Sequence, residues 1–388
     1  MQLAQRMSRL GTETAFEVLS RARALEAQGR HVIHLEIGEP DFETPAHIVE
    51  AAVGALRSGD THYTPSAGVP ALRQAIARHV SRSRRVEVRP EQVVVTPGAK
   101  PIMFFTILGL LQEGDEAIYP NPGFPIYESM INFVGATPIA LPLREEKAFR
   151  FDASEFRSLV TDRTRVIILN SPHNPTGGIL TRDDLQVIAE AARERDIVVL
   201  SDEVYERIVY DGEHVSIATL PDMQSRTVLL DGFSKTYAMT GWRLGYGIMP
   251  EELAERVNTL MVNSNSCTAA FSQQAGIAAL EGPQCDVEQM VSAFRKRRDL
   301  IVDGLNRIPG FRCALPAGAF YVFPNVQATG LPSMKLADHL LQDAGVAVLD
   351  GGCFGSYGSG YLRISYANSI ENLQEALHRM EACIGRLP

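Results

Sequence analysis

Lysine is scarce in this chain. Of 37 lysines and arginines only five are lysine: Lys100, Lys147, Lys235, Lys296 and Lys335. Only Lys235 has an informative setting: it stands in LLDGFSKTYAMTGWRLGYG, directly after an apolar run and before a Thr240-Gly241 turn, Trp242 and Arg243. Three other apolar, β-branched runs also end in groups that can do chemistry. Val93–Thr96 is followed by Gly98, Ala99 and Lys100, which open an expected helix. Val166–Asn170 leads into NSPHNPTG, with Asn174 and Pro175 in a turn, and Ile197–Ser201 ends in Asp202-Glu203-Val204-Tyr205.

A lysine amine can trap an aldehyde, and the first N–H groups of a helix bind phosphate. A carboxylate keeps a neighbouring ring nitrogen protonated. Each residue alone has a plainer explanation. A loop lysine is usually solvated, Asp202 suits a helix N-cap, and NPTG is a common turn. Together, with Arg243 as an extra phosphate partner, they are the groups needed to hold pyridoxal phosphate.

Such residues can meet only if the strand ends come together. Short runs at Val93–Thr96, Ala117–Tyr119, Val166–Asn170, Ile197–Ser201, Val228–Asp231 and Leu244–Met249 are mostly separated by helical stretches. One of these, Thr181–Arg195, opens with a Thr181/Asp184 capping box. That alternation predicts an α/β fold with a mostly parallel sheet covered on both faces, and ligands bind beyond the carboxyl ends of such strands. After about Gly282 the spacing widens: a helix near Val287–Ile308, strands at Phe311–Leu315 and Ala319–Phe323, a helix at Met334–Ala344, strands at Val346–Leu349 and Tyr361–Tyr366, and a last helix Ile370–Ile384. This predicts a smaller α+β unit. An early helix, Thr14–Gln28, and a strand, His31–Ile37, are placed beside it. The expected divisions are 1–44 (N-terminal segment), 45–284 (large domain) and 285–388 (small domain).

A net charge of −9 and a pI near 5.6 argue against nucleic acid as a partner. The longest apolar run, Pro101–Leu111, is shorter than the ~20 residues of a membrane span, and Met1 is followed by polar residues rather than a signal sequence. A cytoplasmic protein is expected. The five cysteines are far apart with no CxxC pair, so no metal is expected and they are read as small buried apolar residues. The basic run Arg78–Arg89 is read as a solvated helix end. His31 and His34 are placed on opposite faces of a strand, and Gly351–Gly360, which lacks a following GK[ST], as a loop near the substrate side.

The segments HYTPSAGVPALRQAI, VTPGAK, NSPHNPTG, SDEVYE, FSKTYAMTGWRLGY and YLRISYANS, in this order and spacing, resemble the fold-type I pyridoxal-phosphate aminotransferases of class I/II. Within that family the chain looks close to the bacterial aspartate aminotransferase subgroup, and the family likeness runs from about Leu35 to Leu377. The resemblance implies a seven-stranded, mostly parallel sheet in a large domain and ping-pong transamination between an L-α-amino acid and a 2-oxo acid. Lys235 would link covalently to the cofactor aldehyde and later carry the proton between substrate Cα and cofactor. Asp202 would pair with the ring nitrogen, Tyr205 and Asn174 with the phenolate oxygen, and Phe124 would stack on the ring. Gly98, Ala99, Lys100, Ser234 and Arg243 would hold the phosphate, joined by the partner subunit's Tyr63 in a homodimer. Arg363 would take the substrate α-carboxylate, helped by Asn174 and the backbone at Gly38.

Two residues depart from the family pattern: Gly232, where some relatives carry serine, and Phe124, where many carry Tyr or Trp. Two other activities share this fold. A lyase or decarboxylase would use the same covalent link. A non-catalytic regulatory module would need an N-terminal DNA-binding domain, for which Gly38 leaves no room. Aspartate, an aromatic amino acid or alanine are the candidate donors, and 2-oxoglutarate a candidate acceptor.

Overall fold

The computed structural model describes residues 1–386. A helix at Thr14–Glu26 leads to the short strand β1 (Ile33–His34), and helices Ala46–Arg57 and Pro70–Arg84 follow. The large sheet is then built from β2 (Val93–Thr96), β3 (Glu116–Asn121), β4 (Thr137–Pro142), β5 (Thr164–Asn170), β6 (Val198–Asp202), β7 (Thr227–Gly232) and β8 (Gly245–Ile248). Its spatial order is β2-β8-β7-β6-β5-β3-β4. Only β8 runs against its neighbours. Every residue of β2, β3 and β8 is buried, as expected for a sheet covered by helices on both faces.

Register aligns the ends that matter. Asn170 pairs with Asp202, Asp202 with Leu230, and Gly245 of β8 with both Gly232 and Thr96. The carboxyl ends of β5, β6, β7 and β2 therefore emerge along one edge. The seventh strand, β4, carries no strand signal in the runs considered above, because TPIALP contains Pro138 and Pro142. It lies at the sheet's rim, where a residue without an N–H is tolerated.

The C-terminal third contains the long helix Cys285–Leu305, then β9 (Tyr321–Val322), a helix Ser333–His339 continued to Ala344 as a wider turn, β10 (Val346–Ala347), β11 (Leu349–Asp350) and β12 (Leu362–Ser365). The last helix is Ile370–Ile384. β12 lies between β11 and β9, and β1 pairs in parallel with β10. Phe294, Ile301 and Leu305 share one core with Leu373, Ala376 and Met380.

Three expectations fail. Phe311–Leu315 is not a strand: Arg312 makes a single bridge to Asn325, and beyond Pro316 the N–H groups of Ala317 and Gly318 turn to the carbonyl of Gly177. The basic run is not wholly solvated. Leu72, Ile76, Val80 and Arg84 are all buried in the helix Pro70–Arg84, so the four-residue spacing puts Arg84 on its inner face. Of the cysteines only Cys313 and Cys383 are buried, and Cys285 is exposed. Among the described residues no helix is long and apolar enough to cross a membrane.

Candidate active site

A cavity of about 380 Å³ opens at the aligned strand ends, within the size range of small-molecule sites. Lys235 enters it from the single helical turn Phe233–Thr236 that follows β7. Its Nζ donates to the carbonyl of Gly38 at 2.5 Å. Burial lowers this amine to about 8, partly opposed by the Glu39 carboxylate. A Cβ on Gly38 would collide with the hydroxyl of Tyr321, so this close approach of backbone requires glycine.

Asp202, the last residue of β6, is buried beside Lys235 in the same cavity. Its Oδ2 accepts from the Tyr127 hydroxyl at 2.6 Å and its Oδ1 from the Val204 N–H at 3.3 Å. Burial raises the carboxyl to about 6, against the pull of the Tyr127 bond. Tyr127 was not singled out by sequence. It stands three residues after Phe124 in NPGFPIY, but Phe124 precedes the helix Ile126–Val134 that carries Tyr127, so helical spacing gave no signal. The two rings meet edge-on, with centroids 5.6 Å apart.

The Tyr205 hydroxyl lies 2.7 Å from that of Tyr321, a second tyrosine the sequence reading missed. Asn174 donates its N–H to Asn170 Oδ1 at 2.9 Å, and Asn170 Nδ2 donates to the carbonyl of Asp202 at 3.1 Å. The turn after β5 is thereby tied to the end of β6. Asn174 Oδ1 accepts from Arg363 Nη1 at 3.4 Å. Arg363 is 4 % exposed on the central strand β12, so it is not an outward-facing edge arginine. Its guanidinium lies 4.8 Å from the Tyr321 ring and 5.1 Å from that of Phe354, which belongs to the glycine-rich segment. Arg363 Nη2 donates to the Glu36 carbonyl, whereas Nε is buried without a partner.

The helix Lys100–Leu110 starts without a side-chain cap. Ala99, Lys100, Ser234 and Arg243 also line the cavity. Gly98 adopts φ +86°, and a Cβ there would strike Arg243 Nη2. Arg243 Nη1 donates to the carbonyl of Thr240 at 2.7 Å. The Lys100 ammonium pairs with Glu13 and lies 5.2 Å from the Phe124 ring, both of which also line the cavity. Two of the anticipated residues do not line the cavity: Gly98, which lies against the lining residue Arg243, and Tyr63, which is 89 % exposed.

Pyridoxal phosphate fits this set. A buried amine of lowered pKa stands ready for its aldehyde, a buried carboxylate for its ring nitrogen, and an uncapped helix start with Arg243 for its phosphate. The unpaired Nε of Arg363 is an orphaned buried donor that calls for an anion.

Comparison with known proteins agrees. Residues 30–380 match the family described as aminotransferase class I and II. The chain is 41% identical over 389 residues, covering 98% of each chain, to a probable aspartate/prephenate aminotransferase of Aquifex aeolicus. It is 39% identical, again over 98% of each chain, to aromatic-amino-acid aminotransferase 2 of Thermococcus litoralis. The solved aspartate aminotransferase of Thermus thermophilus with maleate superposes with a TM-score of 0.95 at 36% identity, over 99% of this chain and all of that one. With likeness extending unbroken through both the sheet that carries Lys235 and the strand that carries Arg363, the chain belongs to the class I and II aminotransferases, pyridoxal-phosphate enzymes that move amino groups.

Proposed function

We propose that the enzyme transfers the amino group of an acidic L-α-amino acid, aspartate foremost, to a 2-oxo acid such as 2-oxoglutarate. Bound pyridoxal phosphate supplies an aldehyde that captures amines and a protonated ring that draws electrons from the substrate Cα–H bond. Lys235 Nζ would hold the cofactor, and its free amine would take the Cα proton. Its lowered pKa of about 8 keeps a useful fraction of the amine neutral near neutral pH. Asp202 would hold the ring nitrogen, and a cation there would favour the charged carboxylate that Tyr127 and Val204 already bond. Tyr205 and Asn174 serve the ring oxygen. Gly98, Ala99, Lys100 through its backbone, Ser234 and Arg243 would hold the phosphate, and Phe124 would stack on the ring. Arg363 Nε and Nη1 give the α-carboxylate charge-assisted donors.

The observation that carries the acidic preference is Lys100. Four cationic side chains line the cavity, Lys100, Lys235, Arg243 and Arg363. The last three already have tasks, which leaves Lys100, held by the Glu13 carboxylate, as the group a second substrate carboxylate would engage. No arginine beyond Arg243 and Arg363 lines the cavity among the described residues. The names of the Aquifex and Thermus relatives point the same way.

The same reading divides the chain at 44/45 and 284/285, supported by the β1–β10 pairing and the helix that starts at Cys285. It also makes the enzyme a homodimer.

The test is to mix the holoenzyme with each common amino acid and follow conversion of the cofactor absorbance to that of its aminated form. Aspartate and glutamate should react fastest. Lys100→Ala should lower kcat/KM for aspartate about tenfold and leave alanine within about twofold, the scale of a half-exposed ion pair strengthened by ligand burial. Equal reactivity of alanine and aspartate in both proteins would overturn the acidic preference.

A further inference from the structure

A buried ionic cluster lies behind the ends of β6 and β7, and none of the roles above uses it. Side chains alternate across a strand. Asp202 and Leu230 line the cavity, while their chain neighbours Glu203 and Asp231 do not. Those two carboxylates meet the guanidinium of Arg84, the residue that ends the helix Pro70–Arg84. Arg84 Nε bonds Glu203 Oε2 at 3.1 Å, Nη1 pairs with Glu206 Oε1 at 3.1 Å, and Nη2 bonds Asp231 Oδ2 at 2.6 Å. Each nitrogen of one side chain therefore holds a different carboxylate, and the Arg84 side chain is only 1% exposed.

The carboxylates are fixed in turn. Asp231 Oδ1 accepts the Gly232 N–H at 2.6 Å and Asp231 Oδ2 accepts from the Tyr246 hydroxyl of β8 at 3.0 Å. Glu203 accepts from Ser216 at 2.6 Å and Ser201 at 3.1 Å, with His214 Nε2 at 2.9 Å. Burying so many charges is costly and seldom adds net stability over apolar packing, so fixed geometry is the physical return. That geometry bears on the site. Glu203 is bonded in chain to Asp202, and Asp231 precedes Lys235 by four residues across the single turn after β7.

We propose that Arg84 is a positioning residue: its guanidinium ties the carboxyl ends of β6 and β7 together from behind and so sets where Asp202 and Lys235 stand in the cavity on the opposite face. The inference rests on the roles proposed for those two residues. Arg363, carried on β12, is outside the bracket, so amino-acid binding and turnover should separate.

The experiment compares wild type with Arg84→Met and Arg84→Lys. Lysine keeps the charge but replaces a three-way fork with one point. In the apoprotein, amide hydrogen exchange should quicken at least about tenfold at segments 200–204 and 229–236 and stay unchanged in β3 and β5. In the holoenzyme, kcat should fall by about 10- to 100-fold, the scale of an ångström-sized misplacement, with the amino-acid KM within about twofold. A folded variant with wild-type kcat overturns the proposal, as does faster exchange spread evenly over the sheet with kcat and KM moving together. If Arg84→Met does not fold, Arg84→Lys and Glu203→Gln carry the test, with kcat about tenfold lower expected and wild-type kcat decisive against it. Turnover surviving in Lys235→Ala would instead refute the role of Lys235, while the apoprotein exchange result still judges the bracket.

Discussion

Asp202 is a carboxyl group whose surroundings oppose its charge until a cation arrives. Burial raises it to about 6 although a tyrosine hydroxyl and a backbone N–H both bond its oxygens. A carboxyl raised in the folded state stabilises the fold below its unfolded value near 4 and loses that contribution as pH rises through about 6. The wild-type apoprotein should therefore lose on the order of 2–3 kcal/mol of stability between about pH 4 and pH 7 relative to Asp202→Asn, which has no such proton to release. Denaturant unfolding of both apoproteins across that range measures it, and parallel profiles would refute it. The conflict also explains why Asp202 could be found in sequence while Tyr127 could not. A carboxylate at the end of an apolar strand is conspicuous, whereas a tyrosine in an apolar helix looks like core packing until its hydroxyl is seen 2.6 Å from Asp202.

At the scale of elements, the site is a set of strand ends and one helix start. Gly98 makes the turn between them, with φ +86° and its α-carbon face against Arg243. Gly98→Ala should weaken pyridoxal-phosphate binding about 10- to 100-fold, the equivalent of 1–3 kcal/mol of backbone strain, while leaving far-UV circular dichroism unchanged. Titration of the apoprotein with cofactor checks this, and an unaltered dissociation constant would remove Gly98 from the cradle. Strand and helix periodicity located β2, β5, β6 and β7 within a residue or two. It missed β4, whose prolines disguise an edge strand, and it made a strand of residues 311–315, where only Arg312 finds a bridge partner, Asn325. Periodicity also held the clue to Arg84, one turn beyond Leu72, Ile76 and Val80, but an arginine in a basic run reads as surface until its three carboxylates are in view.

At the scale of the whole molecule, Tyr63 is 89 % exposed and away from its own chain's cavity. If it completes the phosphate site of the other subunit, the defects of Tyr63→Ala and Lys235→Ala belong to different chains of one site. Exchange of subunits between the two variants should then yield hybrid dimers in which one site carries both defects and the other neither. Activity should recover to about a quarter of wild type in an equal mixture of symmetric dimers. Hybrids that form without recovery would place the effect of Tyr63 in the site of its own chain and overturn its role in the partner's.

The sequence alone determined the chemistry. An amine, an acid, a phenol, an amide and a glycine turn each follow an apolar run, and the hydrophobic effect that buries such runs side by side in a parallel sheet brings their ends together. Tertiary structure decided what local pattern cannot encode. Contacts across long stretches of chain give Asp202 its Tyr127, Tyr205 its Tyr321, Lys100 its Glu13 and Arg84 its three carboxylates. Such pairings depend on which surfaces meet when the layers pack, and their energies exist only once water has been excluded between them.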